Sequence, residues 1–136
     1  MSGTEIVIGE TGVNSPRQGW LRDFNLAFIA GEIDKTLEFV AEDIVWELVG
    51  EGRIEGREGM RAWLRSMAGK KAKRVELKHF ITHGRVASVN GSYEMESGSK
   101  FEFCDVYEFA DETDGSPIRR YTSYVVRVST PSRGEG

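Results

Sequence analysis

FEFCDVYEF, residues 101–109, decides how the rest of the chain is read. Phe101, Phe103, Tyr107 and Phe109 fall on one face of an extended strand, with Glu102, Cys104, Val106 and Glu108 on the other. Asp105 shares the aromatic face, where a carboxylate must be protonated, be paired or meet a polar group. A strand of this kind needs neighbours of the same period, and they lie on both sides. Upstream, Val75, Leu77, His79, Ile81 and His83 share one face against Arg74, Glu76, Lys78, Phe80 and Thr82. After a turn at His83-Gly84, Ala87, Val89, Gly91, Tyr93 and Met95 alternate with Ser88, Asn90, Ser92 and Glu94, and Ser97-Gly98 makes the next turn. Downstream, Asp114-Gly115 closes a hairpin into a last strand, Ile118 to Val128.

Toward the N-terminus the period becomes helical. Ser15-Pro16 followed by Gln18 is a helix start, with Ser as cap and Pro in the first turn. Trp20, Phe24, Ala27 and Phe28 then share a face, with Leu21 flanking, until Gly31 offers a left-handed stop. A shorter helix turns Ile33, Leu37 and Val40 inward and Asp34, Lys35 and Glu38 outward. The run Ile44 to Val49 reads as a strand, and the glycines at 50, 52 and 56 as a loop. A third helix starts near Arg57, buries Met60, Trp63, Leu64 and Met67, and stops near Gly69.

Helices that need a sheet to cover, followed by a long meander, predict an α+β cone: three N-terminal helices packed on a strongly curved, mostly antiparallel sheet enclosing one pocket. Residues 15–128 make up this domain. Residues 1–14 are expected to be a flexible N-terminal segment, whose run Ile6-Val7-Ile8 either adds a strand or lies on the surface. Residues 129–136, STPSRGEG, are expected to be a disordered tail.

Composition removes several function classes. The chain has 136 residues, the size of one domain. With 39% apolar and 29% charged residues it is of globular type, and no window reaches the ~20 apolar residues of a membrane helix. A net charge of −4 without a basic stripe argues against nucleic acid; Lys70, Lys71, Lys73 and Arg74 read as a solvated turn. Cys104 is the only cysteine, so no internal disulfide forms, and with only His79 and His83 beside it no zinc-type ligand set exists. No glycine-rich phosphate loop implies a cofactor. The first residues lack a basic segment leading into an apolar core, so the expected location is cytoplasmic.

Glu47, within the run Val45 to Val49, raises the same question as Asp105, and it is either a site carboxylate or a solvated group opposite Trp46 and Leu48. DFNLAFIAGEIDKTLEFVAEDIVWELVG, GREGMRAWL, FCDVYEF and IRRYTSYVV, in that order, resemble the SnoaL-like and ketosteroid-isomerase-like branch of the nuclear-transport-factor-2-like superfamily, over about residues 17–128. The resemblance implies that Glu47 stands at the general-base position and Asp105 at the oxyanion-holding aspartic acid. The place of the helix-borne tyrosine is taken by Phe24, which cannot donate a hydrogen bond. The resemblance further implies a ligand wall of Trp20, Phe24, Phe28, Trp63, His79, Tyr93, Phe103, Tyr107, Arg120 and Tyr124.

Alternatives stay open at several of these positions. Arg120 either reaches Asp105 or lies outside beside Arg119. His79 is either a core histidine or a dehydratase base. Tyr93, Tyr107, Tyr121 and Tyr124 are spare hydroxyl donors. An epoxide-hydrolase triad of the limonene type is not intact, since Ser123 and Tyr93 occupy its positions. The implied activities are isomerisation or polyketide-cyclase-like chemistry on a hydrophobic carbonyl compound, using carboxylates and no cofactor. Other members of the fold imply epoxide hydrolysis, dehydration, non-catalytic binding of a hydrophobic acid, or association with another protein. Homodimerisation through the sheet is implied as well.

Overall fold

The computed structural model describes residues 3–9 and 13–128; the expected tail 129–136 lies outside the described residues. The elements in chain order are β1 (Glu5–Ile8), α1 (Pro16–Ala30), α2 (Ile33–Leu37), β2 (Val40–Leu48), β3 (Gly52–Glu55), α3 (Gly56–Ser66), β4 (Ala72–His83), β5 (Val86–Met95), β6 (Lys100–Phe109) and β7 (Ile118–Val128). Seven strands form one sheet in the order β1-β4-β5-β6-β7-β2-β3. β1 runs parallel to β4 and β2 parallel to β7, and every other pair is antiparallel. The three helices lie on a curved sheet that does not close, as the alternation and the helical faces predict.

The signals of α1 act as expected, whereas Val40, expected on the second helix, opens β2. Ser15 Oγ accepts from Gln18 N at 3.2 Å, Gln18 Oε1 accepts from Asn14 N at 2.8 Å, and Gly31 ends α1 at φ 76°. Gln18 also reaches across to the sheet, donating from Nε2 to the Phe80 carbonyl at 2.8 Å. Leu21, Phe24 and Ala27 are buried, while Trp20 and Phe28 are half-buried.

The strands add to or depart from the simple pattern at several places. Of the two readings of Ile6-Val7-Ile8, the structure has the strand, with Glu5 opposite Arg74 and Ile8 opposite Leu77. The glycine-rich stretch after β2 is no plain loop: β3 folds back on β2, pairing Trp46 with Ile54. In β4 the expected single face breaks at a bulge. Leu77 pairs with Gly91 but His79 with Asn90, leaving Lys78 as the extra residue, so Phe80 turns into the core with Val75 and Leu77 while His79 and Ile81 turn out. In β7 a second bulge does the same. Glu108 pairs with Arg120 and Phe109 with Ile118, so Arg119 has no partner on β6, and Tyr121 and Ser123 become the inward residues.

Gly91 explains how the sheet bends at the first bulge. A Cβ on this residue would lie 2.0 Å from the Glu76 carbonyl oxygen and 3.1 Å from Phe103 Cε1. Only a residue without a side chain lets β4 and β5 approach this closely while Phe103 covers them. The space between sheet and helices is then filled by Leu21, Phe24, Leu37, Ile44, Trp46, Met60, Leu77, Val89, Tyr107 and Ile118.

Candidate functional site

Register places the candidate site in rows across three adjacent strands. Tyr107 faces Tyr121 and Tyr121 faces Trp46, so three aromatic residues form one row; the next holds Asp105, Ser123 and Leu48. The aromatic row is a continuous stack, with ring centroids 5.1 Å apart for Tyr107 and Tyr121 and 5.0 Å for Tyr121 and Trp46. Asp105 is 6% exposed. Tyr121 Oη donates to Asp105 Oδ2 at 3.3 Å. Two groups outside this pair touch its neighbours: Trp46 Nε1 donates to Ser123 Oγ at 3.0 Å, and Asn25 Nδ2 donates to Tyr107 Oη at 3.2 Å.

Burial pushes the Asp105 carboxyl up to about 7, against the opposing pull of the Ser123, Tyr121 and Tyr107 hydroxyls. Tyr107 and Tyr121 are raised well above the usual phenol range, first by burial and then by the nearby Asp105. Among the described residues, the buried side chains include one cation, Arg17. It is committed elsewhere, four residues further along β6, where its guanidinium carbon sits 4.0 Å over the Phe109 ring and its nitrogens donate to the Gly84 and Thr113 carbonyls. Asp105 is thus held by neutral hydroxyls.

Beyond Asp105 the inner sheet face is less deeply covered. Val125 is exposed there, and Phe101, Phe103 and Tyr93 are half-buried, with Tyr93 and Phe101 stacked at 5.0 Å. Across from them stand Trp63, 4.7 Å from Trp46, and Phe28, 5.8 Å from Trp46. The β2–β3 turn adds Glu51 at the rim. Tyr93 is raised above the usual phenol value first by burial, then by Asp105, then by Glu51, so both carboxylates lie within electrostatic reach of Tyr93.

The expected site residues divide into three groups. Asp105, Phe24, Phe28, Trp63, Tyr93, Phe103 and Tyr107 line the inner face. Trp20 is on that side too, but packs on Phe39 and Phe109, away from Asp105. Glu47, His79, Arg120 and Tyr124, expected in the site, instead lie outside it. Glu47 alternates with the buried Trp46 and is exposed; Arg120 and Tyr124 are exposed because Tyr121 and Ser123 take the inward positions; His79 is turned out by the β4 bulge and meets Asn90 at 2.9 Å. Glu47, Asp105 and Arg120 therefore do not converge.

Asn25, Trp46, Tyr121 and Ser123 complete the group. Asn25 had a legible signal, since a polar residue at position 25 lies on the stripe of Leu21, Phe24 and Phe28. Tyr121 and Ser123 depended on the β7 register, which a single unpaired arginine sets.

Two depressions open on the opposite, outer face of the sheet. One of about 420 Å³ is lined by His79, Ile81, Asn90, Cys104, Tyr124 and Val126 among others, and one of about 310 Å³ by Asp43, Arg85, Glu108, Arg119 and Arg120 among others. No described helix is long and apolar enough to cross a membrane.

Residues 21–114 match the family model described as a SnoaL-like domain. No curated protein matches the chain. Solved structures of similar fold include an NTF-2 like protein from Burkholderia xenovorans LB400, with 21% identity, 88% of each chain covered and a TM-score of 0.71. An LEH-like epoxide hydrolase of M. tuberculosis shares 22% identity over 82% of this chain and 83% of its own, with a TM-score of 0.67. The epoxide hydrolase/cyclase-like enzyme SalBIII, which acts in pyran ring formation in salinomycin, shares 19% identity over 81% of this chain and 90% of its own, with a TM-score of 0.66.

Proposed function

The chain is a member of the SnoaL-like family, and from that premise we propose that it is an acid catalyst acting on an oxygen of a small, uncharged, hydrophobic molecule, with Asp105 as the acid. The observation that carries this reading is a lone carboxyl, buried among aromatic rings and hydroxyls and poised near neutrality. Below about pH 7 such a group is a proton donor, and a ligand oxygen entering past Trp63, Tyr93 and Phe103 meets it first. Chemistry that removes a proton from carbon needs a base beside this acid, and with Glu47 outside, no second carboxylate is buried on the inner face among the described residues. Acid-assisted opening of an epoxide needs only one. The carboxyl proton passes to the epoxide oxygen as the C–O bond breaks, water or a hydroxyl of the same molecule bonds to the carbon, and the proton it sheds restores the carboxyl. The epoxide-acting enzymes of similar fold are consistent with this choice.

The test is turnover of hydrophobic epoxides, with and without an internal hydroxyl, by the wild type, Asp105→Asn and Glu47→Gln. Asp105→Asn is expected to lose on the order of 10²–10⁴ in kcat while ligand binding persists, and Glu47→Gln to lose nothing. The wild-type rate is expected to fall as pH rises through about 7. Full activity in Asp105→Asn, or ligands bound tightly and recovered unchanged, would overturn the catalytic reading; the second outcome supports a binding protein.

Two copies are also proposed to pair through the outer sheet face. Ile81 is 62% and Val126 64% exposed there, flanking the larger depression, and an apolar strip of this kind is ordinarily covered by another surface.

A further inference from the structure

The hydrogen bonds around Asp105 have a direction, and it is set from α1. Asn25 Nδ2 donates to the Leu21 carbonyl at 2.9 Å as well as to Tyr107 Oη at 3.2 Å. A backbone carbonyl accepts and never donates, so Leu21 decides which end of the Asn25 amide is nitrogen. The same nitrogen then faces the Tyr107 hydroxyl. That oxygen must accept, and its own proton is left to point elsewhere. On the other side the indole nitrogen of Trp46 is a donor only, so Ser123 Oγ accepts from it and the Ser123 proton is likewise free.

We propose that Asn25 is a positioning residue for Asp105: by accepting no proton from Tyr107 it turns the Tyr107 hydroxyl onto the Asp105 carboxyl. The inference rests on the reading of Asp105 as the working acid. Its consequence follows from counting. A carboxyl has about four lone-pair positions; Tyr121 Oη donates to one at 3.3 Å, and the Tyr107 and Ser123 hydroxyls, which lower its proton affinity, are the candidates for two more. One position is left, and the acid's own proton must occupy it. That position is the one no protein hydroxyl fills, and it presents the proton to an incoming ligand oxygen rather than to the surrounding protein. Asn25 and Trp46 together make the group a donor with one outlet.

The test reads Asp105 itself and needs no substrate. The midpoint of its carboxyl ¹³C titration is measured in the wild type, Asn25→Leu, Tyr107→Phe and the double variant, each checked for a folded spectrum. Loss of the Asn25 donor weakens the Tyr107 hydroxyl as a donor, so Asn25→Leu is expected to raise the proton affinity of Asp105 by roughly threefold to tenfold, the worth of about one hydrogen bond. Tyr107→Phe is expected to raise it at least as much. In the Tyr107→Phe background, Asn25→Leu is expected to add nothing, because the effect runs through the missing hydroxyl. Equal midpoints in wild type and Asn25→Leu, or an undiminished Asn25 effect without the hydroxyl, would overturn the proposal, since a residue that merely packs behaves in one of those ways. If Asn25→Leu does not fold, Tyr107→Phe alone decides, and an unmoved midpoint overturns the proposal. A wild-type midpoint in the ordinary range near 4 would instead sink the reading of Asp105 as an acid, whatever Asn25 does.

Discussion

Asp105 makes the stability of this protein depend on pH in a direction opposite to that of most aspartates. In an unfolded chain its proton leaves near pH 3.9, whereas the folded protein holds it to about 7. Between those values the folded state binds the extra proton, so stability falls as pH rises. The contribution is complete below about pH 4 and is lost by about pH 7, to the extent of roughly 4 kcal/mol. Asp105→Asn removes the charge that burial opposes. Urea unfolding is expected to show this variant gaining on the wild type between pH 4.5 and 8, by a few kcal/mol at the upper end. An unchanged difference at the two pH values would contradict the raised proton affinity. This residue was legible in the sequence because strand alternation put a carboxylate among phenylalanines. Glu47 was not, since a carboxylate inside a hydrophobic run is equally compatible with either face until Trp46 is seen to be the buried neighbour. Arg120, Tyr124 and His79 were misplaced for a different reason, because each follows a bulge that shifts the period by one residue.

The elements themselves were legible where capping and alternation agree, as in α1 and β6. They were obscure where one residue interrupts a strand. Gly91 shows what such an interruption requires. Placing a methyl group 2.0 Å from the Glu76 oxygen forces β4 and β5 apart, and Gly91→Ala is expected to destabilise the protein by roughly 3 kcal/mol in chemical unfolding. The end of the sheet at Phe109 has a different fastening. Arg17 joins the start of α1 to the β4–β5 turn through Gly84 and to the β6–β7 loop through Thr113, with Phe109 beneath it. Arg17→Met keeps the apolar stem but leaves those carbonyls without their donor. A loss of roughly 2–3 kcal/mol is expected, with amide exchange accelerating first around residues 110–117. Equal stability would show that water replaces the guanidinium there without loss.

At the scale of the molecule, the sheet has two unlike faces. The inner face holds Asp105 and its hydroxyls. The outer face carries the exposed apolar strip, and Val126→Glu, which places a charge within it, is expected to shift the sedimentation coefficient of a dimer to that of a monomer while leaving the fold intact. No change in mass would mean that copies do not meet on this face. The order β1-β4-β5-β6-β7-β2-β3 has one more consequence. Both outermost strands are four residues long, while the five between them run from 9 to 12. Beyond β1, the Phe80 carbonyl of β4 is taken by Gln18. The open sheet thus offers a passing chain very little backbone on which to extend it. A molecule with an exposed apolar face but blunt edges can stack in pairs without growing into fibres.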